Sequence, residues 1–376
     1  MSQTEHDHCI KPQGLTELQE MVRASAKLVF HGGGTKNALA AIPDGFACLD
    51  LTGWTGVTDY EPDEFTVTVR AGTPVTTVTD VLNENGQYLP FDPVLVAAGA
   101  TIGGSVASGL NGPGRYRYGG VRDFLLGVKF LDWKGDLVSG GGRVVKNAAG
   151  FDLPKLMVGS LGMYGGLMEL TFKVFPRPKS TITVGASYPT YGQAAAAMVQ
   201  LTLSPLEIFK LDIEPGVRKY TLWIQLGGSP EALEQQRIRL TGSLSGAKIL
   251  ELTSAGEEDF WHSACEFLWT SHCNTLVKVP LTPKKAALLE KELVEYGHSR
   301  RYSCAANVLW LSWDTELDHL DSLLKTHNLS GLVVWGSGKR AILGAWEPGE
   351  FAQRIKRALD PSDKFSGPEK WSDSRS

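Results

Sequence analysis

The sequence predicts an α+β domain over roughly residues 10–178, followed by a smaller, layered α/β domain. Three observations predict this. The chain has 376 residues, more than the roughly 250–300 at which a single core stops growing. Its first half alternates short β-prone runs with glycine loops, and the 68 residues from Gly99 to Gly166 hold 18 of the 42 glycines. Beyond the breaker cluster Pro176-Arg177-Pro178, longer helical and strand-like patterns alternate.

Taken in order, Leu15, Leu18 and Val22 recur at helical spacing in Leu15–Ala26, with Thr16 placed to cap the start. Lys27–Phe30 is a short apolar strand that stops at His31-Gly32-Gly33-Gly34-Thr35-Lys36-Asn37. A strand running into glycines lets successive backbone N–H groups point into one concavity, a phosphate receptor. The order is neither that of a P-loop nor G-x-G-x-x-G, and on these residues alone a plain turn fits equally well. Ala47–Leu51, Val57–Tyr60 and Phe65–Ala71 read as strands, the last by its alternation of apolar and polar residues. Thr73-Pro74-Val75 opens a helix that Asn85-Gly86 closes. The Tyr88–Pro93 segment is too proline-rich for regular structure, and the glycine stretch after it reads as the wall of a large-cofactor site. Leu125–Trp133 and Asp136–Ser139 form a hairpin about Lys134-Gly135, Leu153–Val158 a short helix, and Leu167–Phe175 a strand.

In the second half, Tyr191–Leu203, Pro230–Leu240 and Thr282–Tyr296 are helical in pattern. Leu206–Leu211, Tyr220–Leu226, Ala306–Trp313 and Gly331–Trp335 read as strands. Seven of the ten tryptophans lie here and read as core or interface residues. Trp335-Gly336-Ser337-Gly338-Lys339-Arg340-Ala341 imitates a nucleotide motif, but the broken segment after it cannot supply the required helix, so a strand–turn–strand is expected. Phe351–Leu359 is a short amphipathic helix, and the polar tail from Ser366 is expected to be mobile.

The totals exclude several classes. A net charge of −4 argues against a nucleic-acid binder. No run reaches the roughly 18 apolar residues of a membrane span, and Met1–Cys9 lacks the apolar core of a signal peptide. Cys9, Cys48, Cys265, Cys273 and Cys304 are scattered without C-x₂-C spacing. They read as isolated reduced thiols of a cytoplasmic protein, with no metal site.

Together the motifs resemble a known family. The run Gly32–Lys36, then Ala100-Thr101-Ile102-Gly103-Gly104 and Arg117-Tyr118-Gly119, resembles the PCMH-type FAD-binding domain of the vanillyl-alcohol oxidase family. Phe91-Asp92-Pro93, Gly109–Pro113, Val121–Phe124, Gly141–Asn147 and Ala149–Leu153 running on to Gly159–Gly162 resemble the FAD-binding E subunits of bacterial glycolate oxidases. The resemblance implies a two-subdomain FAD-binding domain over 1–180, a cap domain over 181–350, and a segment, 351–376, that returns to the first domain. It further implies that Gly32, Gly33, Gly34, Thr35, Lys36 and Asn37 hold the FAD diphosphate. Gly99, Thr101, Ile102, Gly103 and Gly104 would close on it from the other side. Ser105, Ser108 and Gly109 would run along the ribityl chain, with Gly119 and Leu167 packed close by. Thr35 stands where some members carry the histidine that attaches FAD, so non-covalent FAD is implied. Valine at Gly33 or Gly104 is expected to abolish FAD binding, because a β-branched residue cannot approach a phosphate or adopt positive φ.

Oxidising a 2-hydroxy acid needs a hydride acceptor, a base for the hydroxyl proton and a cation for the carboxylate. FAD is the first; no set of residues stands out for the others, and the catalytic residues stay unassigned. His262, His272, His298, Arg300, Arg301 and Lys278 are scattered candidates, each more readily read as a surface or satisfied core residue. In Phe260–Phe267 the resemblance leads one to expect an arginine where Cys265 stands. The implied function is the FAD-binding subunit of a glycolate (2-hydroxy acid) oxidase, with a catalytic flavoprotein and an iron–sulfur subunit as partners. Such a protein is cytoplasmic and meets a membrane only through partners. A non-catalytic structural flavoprotein and a free-standing FAD-dependent 2-hydroxy acid dehydrogenase are the alternatives.

Overall fold

The computed structural model describes residues 9–142, 151–270, 274–336, 340–347 and 349–367. Arg143–Gly150, His272, Cys273 and Ser337–Lys339, all invoked above, lie outside them.

Two small layers build the N-terminal unit. The Leu28–His31 strand pairs in parallel with Ala47–Asp50. The Leu15–Ala24 helix lays Leu18 and Val22 against this pair, beside Leu49, Leu51 and Phe365. Thr16 lies inside that helix rather than capping it; the helix begins after Gly14, and Glu17 accepts the N–H of Gln13 at 2.6 Å. The second layer is a five-stranded antiparallel sheet ordered Val57–Glu61, Thr66–Arg70, Gly166–Lys173, Leu125–Leu131, Leu137–Gly141. The expected hairpin is present, turning at Gly135 with φ +75°.

The start of the glycine stretch is helical. Ile102–Ser108 is a helix whose start is capped by Thr101 Oγ1, accepting from Gly104 N at 3.2 Å. Gly103 is there because the backbone lies tight on a neighbour: a Cβ would meet the Ala71 carbonyl oxygen at 2.8 Å. The free-thiol reading of the cysteines is also corrected. The segment entering the fold bridges at Ile10 to Leu49, and Cys9 is disulfide-bonded to Cys48. Cys265 and Cys304 are free and buried.

From Ser180 the chain forms a nine-stranded sheet in which every pair is antiparallel. Helices Tyr191–Thr202, Pro230–Ser243, Pro283–Tyr296 and Leu317–Thr326 supply the partners of its apolar residues on one face. Strand alternation sends the next residues the other way. Val277 joins the helix-side core, whereas Leu276, Val308, Trp310 and Val334 join the core of the N-terminal unit. Ser330–Trp335 and Ile342–Gly344 are the expected strand–turn–strand.

The Glu350–Leu359 helix leads into a turn organised by Asp360. Its carboxylate accepts the N–H groups of Lys364 at 2.9 Å and Phe365 at 2.8 Å, and the Lys356 ammonium at 2.5 Å. Phe365 then bridges to Leu28. Ser366, expected to begin a mobile tail, is buried; residues 368–376 lie outside the described structure.

Candidate functional site

The Leu28–His31 strand runs straight into Gly32–Asn37. The backbone N–H groups of Gly32, Gly33, Gly34, Thr35, Lys36 and Asn37 donate to no described residue. Amides inside a fold are nearly always paired, so this succession makes a receptor for an external acceptor, best an anion. Gly34 turns the loop with φ +64°. Gly33 is required for a different reason from the one expected. Its φ is not positive; a Cβ there would fall 2.0 Å from the carbonyl oxygen of Gly99.

The loop is one wall of a cavity that opens to solvent. Thr101, Gly103, Gly104, Ala107 and Ser108 form the facing wall, and Leu161, Gly162, Gly165 and Leu167 a third. The structure thus brings together Gly32–Lys36, Thr101, Gly103, Gly104, Ser108 and Leu167. The other expected residues stand elsewhere. Asn37 exchanges hydrogen bonds with the backbone of Gly336 in the cap. Gly99 supports Gly33 from behind. Ile102 is core, and Ser105 Oγ donates to the Thr101 carbonyl at 3.0 Å. Gly109 and Gly119 end short helices with φ +61° and +99°; a Cβ at Gly119 would collide with Asp123.

The two glycine segments are also not equivalent. Amides of the second are consumed within the fold: Ile102 N donates to Thr73 O, Gly103 N to Ala71 O and Gly104 N to Thr101 Oγ1. This wall offers close approach, while the first loop offers donors. Residues that sequence reading did not assign to the site, Phe30, His31, Leu39, Ala40, Leu51, Ala71 and Ala107, also line the cavity; only their place beside the loop in the fold reveals them.

Lys36 is 6% exposed and its ammonium donates to Thr35 Oγ1 at 3.1 Å. Burial pushes it down to about 8, against the opposing pull of Glu266. Glu266 ends the cap helix Ser254–Glu266 and accepts the N–H groups of Ala97 at 3.0 Å and Ala98 at 3.3 Å. This carboxylate ties the cap to the segment that leads into the cavity wall.

Beyond Glu266 a larger cleft opens between the two units, past Asp92 and Tyr118 on one side and Lys210, Trp261 and His262 on the other. Cys265, where arginine was expected, faces Asp92 with Sγ 3.6 Å from Oδ2, and burial pushes the thiol well up. Of the scattered candidates, Arg300 is bonded to Glu290 on the helix side of the cap sheet, and His298 packs on Trp313. Arg301 and Lys278 project from the other face, toward the N-terminal unit, with Arg301 paired to Asp212 at 2.7 Å.

Residues 7–141 match the FAD_binding_4 family, an FAD binding domain. The chain is 31% identical to glycolate oxidase subunit GlcE of Escherichia coli over 94% of its own length and 95% of that protein's. The chain belongs to the GlcE family of glycolate oxidase subunits. It is an FAD-binding oxidoreductase subunit with an α+β fold. The mitochondrial D-lactate dehydrogenase of Arabidopsis thaliana is 27% identical over 55% of this chain and 37% of that one. Glycolate oxidase subunit GlcD of Bacillus subtilis is 27% identical over 50% and 41%. The chain therefore spans well under half of these two relatives. Among solved structures, an alkyldihydroxyacetonephosphate synthase superposes with a TM-score of 0.70 at 14% identity, over 94% of this chain and 75% of that one; this likeness is one of fold.

Proposed function

We propose that this chain is the FAD-carrying subunit of a multi-subunit oxidase acting on glycolate or a closely related 2-hydroxy acid. Electrons would leave through partner subunits, one a catalytic flavoprotein and one an iron–sulfur protein. The observation that carries the cofactor site is the loop of unpaired amides at Gly32–Lys36 facing the cavity, with the buried Lys36 beside it. These donors suit a diphosphate, and the small residues Gly103 and Gly104 let it come close. Thr35 stands where, by resemblance, an attachment histidine would be, and His31 lies before the glycines, which supports non-covalent FAD. Bound FAD supplies hydride acceptance. The chain's own contribution is to hold the diphosphate through loop amides, to neutralise its charge with Lys36, and to fix the cap over the site through Glu266.

Support for the substrate class is the family and the D-lactate and glycolate enzymes among its relatives. The test is to purify the chain alone. Yellow flavin that acid precipitation releases into solution is expected, and a colourless protein would overturn the reading. Anaerobic glycolate or D-lactate is expected to bleach the flavin only after partner subunits are added. Bleaching by the isolated chain would show a self-sufficient dehydrogenase. No bleaching in the assembled complex would leave a structural flavoprotein.

A further inference from the structure

Behind the cavity, three stretches of chain converge on one ammonium. Lys356, in the last turn of the Glu350–Leu359 helix, donates to the Met163 carbonyl at 3.0 Å, the Phe365 carbonyl at 2.8 Å and Asp360 Oδ2 at 2.5 Å. An ammonium has three donors, and here each is used on a different segment. A second carboxylate, Asp363, stands farther off at 3.8 Å. The node is enclosed, with the Lys356 side chain 16% exposed and that of Asp360 0%.

Met163 belongs to the back of the third cavity wall. It sits in the turn that contains Leu161, Gly162 and Gly165, all of which line the cavity. Their φ values are +50°, +79° and +141°, and Leu161 adopts its own despite a Cβ. Backbone of this kind persists only where its surroundings hold it. The start of the turn is tied to the facing wall, Leu161 N donating to Ala107 O at 2.9 Å. Lys356 ties it on the other side.

Phe365 supports the first wall. The carbonyl of Lys364 accepts from Leu28 N at 2.9 Å, on the strand that runs into the glycine loop. The Phe365 ring lies 5.8 Å from that of Phe30, which lines the cavity. Phe30 in turn covers Gly166, where a Cβ would fall 2.3 Å from the ring. The Phe30 ring is thus wedged between the C-terminal segment and the strand that leaves the third wall. Lys356 fastens the two sides of that wedge together from outside the cavity lining.

We infer that Lys356 is a positioning residue for the flavin cofactor: by joining Met163 to Phe365 it sets the spacing between the Leu161–Gly165 wall and Phe30, and so couples docking of the C-terminal segment to FAD binding. The identity of the cofactor rests on the function proposed above. Asp360 supplies the counter-charge that lets the ammonium be enclosed. The coupling is reciprocal, so whatever docking adds to FAD affinity, bound FAD adds to docking.

The test is titration of the flavin-free protein with FAD, read by flavin fluorescence, together with urea unfolding with and without FAD. Lys356→Met combined with Asp360→Asn removes the cation without stranding a buried carboxylate. It is expected to weaken FAD at least tenfold, so that a fixed excess of FAD stabilises it by about 1.4 kcal/mol less than wild type. Lys356→Arg keeps a partner for Asp360, but its planar fork cannot direct three bonds from one atom. It should unfold as wild type does and still bind FAD several-fold more weakly. A purely structural loss behaves differently: Glu290→Gln, which breaks the buried pair with Arg300 in the cap, should lower stability equally with and without FAD and leave its affinity unchanged. In hydrogen exchange, FAD should slow the Leu28 and Phe365 amides of wild type and not those of the double variant. Wild-type FAD affinity in both Lys356 variants, or wild-type amides whose exchange ignores FAD, would overturn this inference alone. Wild type that binds no FAD would strike the proposed function and this inference with it.

Discussion

Replacing Lys36 by methionine separates the stability of the empty protein from its capacity to hold the cofactor. The methionine side chain fills a similar volume without charge. In the wild type, burial lowers the ammonium from 10.5 to about 8. At ~1.36 kcal/mol per unit, that is a penalty of about 3 kcal/mol for carrying the charge into the fold. The sign follows from proton counting. Between about 8 and 10.5 the unfolded chain holds this proton more tightly than the folded one, so stability rises with pH across that window. Below about 8 the full penalty is present. Urea unfolding of the flavin-free protein at pH 7 should therefore show Lys36→Met to be more stable, by up to about 3 kcal/mol, with the rise between pH 8 and 10 removed. The same variant should bind FAD at least tenfold more weakly, because the diphosphate loses its buried counter-charge. Flavin affinity equal to wild type would refute the placement of the diphosphate at this loop. Unchanged stability at pH 7 would refute the claim that Lys36 is held at a cost.

Three further outcomes follow from the geometry. Gly104→Val should leave the apo protein folded, since a Cβ there meets only Thr101 Oγ1 at 3.1 Å, yet abolish flavin absorbance by filling the cavity; Gly33→Ala should lower the melting temperature as well, because it displaces Gly99. Glu266→Ala should destabilise the protein by about 2–3 kcal/mol in denaturant titrations, leaving the Ala97 and Ala98 amides and the Lys36 charge without their partner. Cys9→Ser should cost up to about 4 kcal/mol in non-reducing unfolding experiments, from the 39-residue separation that the disulfide closes, and dithiothreitol should bring wild type down to the variant.

The first glycine loop was legible because strand, glycines and lysine are contiguous, so a local pattern carries a local structure. The second was legible only in part. Its glycines announce close approach, but the same density hid the Ile102–Ser108 helix, since glycine disfavours helices and only packing against Ala71 explains its presence. Long-range pairings left no trace in spacing. Cys9 and Cys48 meet because Ile10 runs beside Leu49, a fact of tertiary structure. Lys278, Trp310 and Arg301 form a row only because three strands far apart in sequence become neighbours in a fixed register. As isolated letters, the two cations were indistinguishable from surface charge.

The contact between Phe365 and Leu28 has a bearing on how the protein is made. Lys364 O accepts Leu28 N at 2.9 Å, and Phe365 packs 5.8 Å from Phe30, which lines the cavity. Lys364 Nζ also reaches the Val22 carbonyl, 342 positions back. The layer that carries the glycine loop is therefore finished by residues synthesised after the whole second sheet. During translation the contacts of Phe365 with Leu28 and Phe30 cannot form until residue 365 has been made. In topological terms the nine-stranded unit is an insertion within the N-terminal unit, so a fragment cut at Pro178 would lack part of the support behind its own cavity.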